Sequence, residues 1–277
     1  TAILKAWESA DGKADNLYQT LIRALSQVPD VEKGLMRIFH KTATPNEFVT
    51  VLEAILKTGR QLAVLGTSEG GKDVRDAPLL SLLLSHASSS ELLQTVMTEL
   101  CALNVEAAKK SDKVNLLKDS PRFPELGRLR TEVASSEDNM TEILRQIRRD
   151  MKDHSLKYVT VSQTEYLIEL DTHRTPPKTW LKISSTKKVN RYHPAEVREG
   201  LKELEVSRAK LEIACGVAWS DFLDSFRTRV PGLFKSAVNA LASLDCLKAL
   251  AKLATHPDYT RPVIVDSKRH MRLEVVR

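Results

Sequence analysis

The sequence predicts a mostly α-helical protein in which two long helices lie antiparallel as a stalk and carry a small β-rich module at its tip. Three observations predict it. Apolar residues recur in steps of three and four over two long segments, 125–152 and 194–226. The only convincing strand character lies between those segments. The composition (28% charged, 5% aromatic, ten glycines and eleven prolines in 277 residues) favours long helices over a sandwich or barrel.

Residues 1–110 read as helices joined by short loops. In "VPDVEKGLMRIFH" Asp30 is an N-cap, and Val31, Leu35, Ile38 and Phe39 follow at helical spacing. In "TPNEFVTVLEAILKTG" Thr44 caps, Pro45 takes the first helical position, Glu47 closes a capping box, and Gly59 is expected just past the end. The box Ser88–Glu91 opens a helix expected to reach Val105, and Gly66–Pro78 reads as a polar loop.

In the first stalk segment the apolar positions are Leu126, Leu129, Val133, Met140, Ile143, Ile147 and Met151, with Ser136 in the one gap. In the second they are Val197, Leu201, Leu204, Leu211, Cys215, Ala218 and Phe222, with Arg208 inside the seam as a snorkelling or paired side chain. Each helix spans roughly 40 Å at 1.5 Å per residue, and neither is apolar enough to be buried all round, so they pair. A compact insert joining the end of one to the start of the other makes the pair antiparallel. Within the insert, "KYVTVS" and "EYLIEL" flank a turn at Ser162–Thr164, which has no glycine, and "TWLKISS" and "KKVNRY" form a second, shorter strand pair. Pro231 starts a last helix through about Thr255, and "YTRPVIVD" and "MRLEVV" then read as strands without a partner. With Thr rather than Met at position 1, this predicts a piece of a longer, multidomain protein.

The formal net charge is +6, and the stretch His173–His193 alone holds six Lys or Arg and no Asp or Glu. Polyanion binding needs cations presented together with few anions beside them, since each phosphate contact releases a counterion without reading sequence. The candidates are Lys178, Lys182, Lys187, Lys188 and Arg191, with Ser185 and Thr186 as neutral donors. Trp180 and Tyr192 either pack under the strands or, for Tyr192, lie on a sugar. The bland alternative is a solvated basic loop on a helical protein-interaction scaffold.

Other chemistry is sparse. "GTSEGGKD" at Gly66–Asp73 approaches a phosphate loop but ends in Asp73 where a Ser or Thr hydroxyl must hold magnesium, so a loop is the better reading. There is no HExxH, no Cys–His zinc spacing and no GxSxG. Glu165 and Glu169 share a strand face and are read as solvent-facing charges. Cys101 and Cys215 sit on apolar helical faces and are read as buried, inert thiols. Three widely separated cysteines point to a reducing compartment, and no run of 18 apolar residues predicts a membrane span.

"STKKVNRYHPAEV" (Ser185–Val197), entered from "YVTVSQTEYLIEL" (Tyr158–Leu170), resembles the clamp of the MutS family of DNA mismatch-repair proteins. "VPDVEKGLMRIFHKTATPNEF" (Val28–Phe48) and "LASLDCLKALAKLATHPDYTRP" (Leu241–Pro262) resemble segments flanking that family's lever helices. "SQTEYLIEL", "STKKVNRYH" and "DYTRPVI" are most similar to its eukaryotic branch specialised for insertion/deletion loops. The resemblance implies core and lever helices over 1–124, a clamp with its flanking helix ends over 125–206 (β tip about 156–193), a second lever part over 207–260, and the start of an ATPase domain over 261–277. It implies DNA-backbone contact at Lys187 and Lys188, and either contact or anchoring for Arg191 and Tyr192. It further implies a second MutS homologue as heterodimer partner, no membrane, a nuclear location, and no cofactor or catalysis in this chain. ATP and magnesium belong to the parent protein's ATPase domain.

Overall fold

The structure is a computed structural model and describes residues 17–26, 28–67, 77–254 and 256. The near-match to a phosphate loop and the two terminal strand-like segments therefore lie wholly or largely outside the described residues. Among the described residues the chain is mostly helical with one small antiparallel sheet, and it divides into two compact units: 1–43, 47–99 and 227–277 form one, and 44–46 with 100–226 form the other.

The first unit is built on helices α1 (Leu17–Ser26), α2 (Val31–Phe39), α3 (Pro45–Thr67), α4 (Pro78–Ala87), α5 (Ser90–Cys101) and α9 (Pro231–Ala254). Asp30 caps α2 by accepting from the Lys33 backbone N–H (2.9 Å), and Val31, Leu35 and Ile38 are buried at the expected spacing. Leu21, Leu62, Leu80, Leu84, Leu241 and Leu244 are centres of one continuous core. Gly59 does not end α3; the helix continues for eight more residues to Thr67. A Cβ at Gly59 would meet Leu93 Cδ2 at 2.7 Å and the Ala87 carbonyl oxygen at 3.0 Å, so this glycine permits close packing at the α4–α5 corner rather than marking a stop. α5 stops at Cys101, short of Val105, because Asn104 caps a separate helix, α6 (Val105–Lys109), by accepting from Ala107 N–H (3.3 Å). Cys101 is exposed, not buried as its apolar neighbours suggested, since it falls in this last turn. Glu99 on α5 is buried and is matched by Arg229, the last residue of α8 (2.6 Å).

In the second unit α7 (Pro124–Asp150) and α8 (Ala195–Arg229) run antiparallel. The contacts prove the direction: Glu132 meets Lys210 (3.1 Å), Ser136 meets Ser207 (3.4 Å), and Met140 lies against Gly200. As the number rises on one helix it falls on the other. Ser207, not Arg208, takes the seam position; Arg208 lies beside the seam and is paired rather than snorkelling. Its guanidinium donates to Glu137 Oε1 on α7 and to Glu165 Oε2 on strand β2, both at 2.9 Å. Cys215 is buried, and burial pushes its thiol pKa up.

Strands β1 (Tyr158–Val161), β2 (Thr164–Asp171), β3 (Leu181–Ser185) and β4 (Val189–His193) form a single sheet in the order β1-β2-β4-β3. The two expected pairs are thus fused, with β2 against β4 in the middle. Ser162 and Gln163 turn the first hairpin at φ 49° and 69°, the left-handed pair of a two-residue type I′ connection, without a glycine. One face of the sheet packs on the helix pair: Ile168, Leu170 and Tyr192 share a core with Met140, Leu144, Ile147, Val197 and Leu204. The Tyr158 hydroxyl donates to the Met140 carbonyl (2.9 Å), and burial, then neighbouring Tyr166, raise its pKa. The connection from β2 to β3 is tied to the end of α7 by the Arg174–Asp153 ion pair.

Two outcomes test this description. Gly34→Ala puts a Cβ 2.3 Å from the stiff Val51 Cγ2. Overpacking of about 1–3 kcal/mol outweighs a helix-propensity gain of about 1 kcal/mol, and the urea midpoint falls. The Asp153 carboxyl, held by the Ser155 hydroxyl, Arg174 and the Ser155 N–H, titrates at about 2. Its folded value lies below the unfolded ~3.9, so its stabilisation is present above that pH and lost as pH falls through the folded value. In Arg174→Gln the titration, followed by carboxyl NMR, moves up.

Candidate nucleic-acid interface

The β3–β4 hairpin gathers most of the residues expected to meet phosphate. Lys182 lies on β3, Ser185 ends it, Thr186, Lys187 and Lys188 make the turn, and Arg191 lies on β4. Lys178 is apart from them, in the connection before β3. The turn is locked by Thr186. Its backbone N–H donates to the Val189 carbonyl (2.8 Å), its hydroxyl donates to the same carbonyl (3.1 Å), and its Oγ1 accepts from Val189 N–H (3.1 Å). The hydroxyl is therefore a turn former, and it lifts Lys187 and Lys188 to the outermost position of the hairpin. A register shift between Lys182 and Ser184 places two strand residues where one would pair, a bulge that twists an edge strand away from flat pairing.

Six cations in one stretch do not stay equal. Arg191 Nε donates to Glu169 Oε1 across the β2–β4 pair (2.8 Å), where the two residues are directly opposite and half-buried. Arg174 is held by Asp153. Lys178, Lys182, Lys187 and Lys188 are exposed and make no ion pair among the described residues. Four unneutralised ammonium groups on and beside one hairpin outnumber Asp171, the exposed carboxylate opposite Val189 at the end of β2, and form a local positive field. Lys182 also has a structural reason to be there, since a lysine on an edge strand opposes edge-to-edge pairing.

Tyr192 is buried, its ring 6.0 Å from that of Trp180, so it packs under the strands rather than on a sugar. Glu165 and Glu169 are not free surface charges: the first is bonded to Arg208 and the second to Arg191. His193, which sequence reasoning passed over, is buried, and its Nε2–H donates to the Glu165 carbonyl (2.9 Å). With the Arg208 brace it fixes the β2 end of the sheet against α8. Arg208 gave one legible signal, a charge inside a heptad pattern; His193 gave none, because its acceptor is a backbone atom 28 residues away.

Among the described residues no group of three or more His, Cys, Asp and Glu side chains is placed to hold a metal ion, and no helix is long and apolar enough to cross a membrane.

Comparison with known proteins agrees with this architecture. The family MutS domain III matches residues 4–251. The chain is 36% identical over 267 residues to DNA mismatch repair protein MSH3 of Arabidopsis thaliana, covering 94% of this chain and 24% of that protein. It is 33% identical over 249 residues to Msh3 of Homo sapiens, covering 88% and 21%, and 32% identical over 256 residues to Msh3 of Mus musculus, covering 92% and 23%. The chain thus spans less than a quarter of the length of these relatives. With a fold of paired long helices and an inserted sheet, and a domain match over most of its length, the chain belongs to the MutS family.

Proposed function

We propose that this chain serves in DNA mismatch repair as a lever and clamp region that holds duplex DNA by sequence-independent backbone contacts. The observation that carries the reading is the set of four lysines left without carboxylate partners on and beside the β3–β4 hairpin, while both arginines of the same stretch are neutralised. Lys187 and Lys188 are the principal phosphate contacts, supported by Lys182, Lys178 and Ser185. Thr186 shapes the turn that presents them. Of the two roles open to Arg191, its ion pair with Glu169 favours anchoring the strand.

At the level of the whole protein, we assign the clamp to 125–206 and the lever parts to 1–124 and 207–260, with an ATPase domain beginning near 261. That domain would use ATP and magnesium and be coupled to the clamp through the levers, and the whole protein would recognise insertion/deletion loops. The protein would act in the nucleus as a heterodimer with a second MutS homologue.

The test is a titration of duplex DNA against salt, followed by fluorescence anisotropy. Lys187→Ala with Lys188→Ala weakens binding to all sequences alike and flattens the slope of log K against log salt by about one to two, since each phosphate contact contributes about 0.9. Arg191→Gln lowers the melting temperature but leaves the slope in place. An unchanged slope in the double variant overturns the reading.

One observation favours a second reading, a helical protein-interaction scaffold. Val206, Ile213 and Val217 are exposed on α8 at spacings that share a face. That reading predicts no retention of duplex on a low-salt gel, and loss of a protein complex in Ile213→Glu with Val217→Glu.

A further inference from the structure

The last two turns of α7, the β2–β3 connection and the first turn of α8 enclose a cavity of about 280 Å³, lined by none of the four free lysines. That is near the lower end of the ~300–1,000 Å³ typical of ligand pockets. Ile147 and Met151 give it an apolar floor, and the Trp180 indole, steadied by Tyr192, forms a wall. Among the described residues its ionisable lining residues are Asp150 and Glu196, both acidic. Gln146 donates from Nε2 to Asp150 Oδ1 (2.8 Å) and accepts from Arg149 Nη2 (2.7 Å), so the Asp150 carboxylate is held in place before anything binds.

Two features set this cavity apart from an ordinary surface dent. Asp150 is the last residue of α7, the helix end where the backbone dipole already concentrates negative charge and where a carboxylate is disfavoured. A sequence that breaks a local rule at a cavity wall commonly does so for function. Further, the cavity is acidic in a module whose β3–β4 hairpin is cationic. Its lining offers phosphate two carboxylates and no cation, so the nucleic-acid reading does not absorb the site. An apolar floor, an indole face and two carboxylates complement a cation on an apolar stem. Arginine fits better than lysine: the planar guanidinium stacks on an indole, forks onto a carboxylate, and sheds water more readily than an ammonium.

We propose that this cavity receives one arginine side chain of a partner protein, with the guanidinium between Trp180 and the carboxylates of Asp150 and Glu196. None of the four unpaired lysines lines the site, although Lys178 lies between its lining residues Pro177 and Thr179.

The test uses the peptide acetyl-Gly-Arg-Gly-amide, titrated into the chain while the Trp180 indole N–H is followed by NMR, its signal identified by its loss in Trp180→Phe. The expected result is a saturable shift in the millimolar range, weakened at least roughly tenfold in Asp150→Asn with Glu196→Gln. It is absent for the isosteric, uncharged citrulline peptide. Glu196→Gln alone, at an exposed helix-start position, keeps the test available if Trp180→Phe or the double variant folds poorly, and it too weakens the shift while leaving the DNA titration unchanged. No saturable shift, an equal shift with citrulline, or an equal shift in the carboxylate variants overturns the proposal. Equal binding of the lysine peptide overturns the assignment to arginine.

Discussion

The second unit depends on how closely α7 and α8 approach at the end that carries the sheet. Gly200 has no side chain there, and Met140 fills the space a Cβ would take, with Ile143 beside it. That contact lets the sheet's inner face close over the pair, with Ile168, Leu170 and Tyr192 entering the same core as Met140 and Val197. A thicker seam would lift the sheet off the helices and expose that core. The polar bonds then fix orientation rather than supply the attraction. Arg208 reaches one carboxylate on each of two elements, Tyr158 reaches a helix carbonyl, and His193 reaches a strand carbonyl. Most of these are partly exposed, where ion pairs contribute about 0–1 kcal/mol each, so apolar burial dominates.

The charge pattern follows from the same arrangement. Carboxylates meet the two arginines that hold this module together, while the turn residues 186–188 carry none. Arg191 faces Glu169 in the middle of the sheet, and Arg174 reaches back to Asp153 at the helix end. The lysines at the hairpin's outer end are exposed and make no ion pair among the described residues. A planar, multi-donor cation suits a fixed internal partner, and a flexible hydrated one suits an outer surface. The division between arginine and lysine in this stretch thus mirrors the division between anchoring and display.

Much of this was legible in the sequence because it rests on periodicity. The two long helices, their antiparallel pairing, the position of the β module and the cationic stretch all follow from spacing and composition. What failed did so where a neighbour distant in sequence decided the outcome. Gly59 looked like a helix stop, but Leu93 and the Ala87 carbonyl make it a packing glycine. Arg208 looked like a seam residue because the strict heptad drifts against a helix of 3.6 residues per turn, and Ser207 takes its place over so long a helix. The pairing of Glu169 with Arg191 needed the β2–β4 register, which no local pattern contains. Which cations of the stretch stay unpaired was not legible, because only the tertiary partners of its arginines separate them from its lysines.

The nesting of the sheet between the helices also orders events during folding. The strand pairs join residues close in sequence: Val161 meets Thr164, and Ser185 meets Asn190. The helix pairing spans much longer loops, up to the 78 residues between Glu132 and Lys210. Closing a long loop in an unfolded chain carries an entropy penalty that grows with its length. Once the hairpins have formed and docked, the ends of α7 and α8 are already side by side, and each further pair closes only a turn of helix at a time. The sheet is thus the place from which the helices zip together, and a lesion in its turns would be felt as slow assembly of the whole pair.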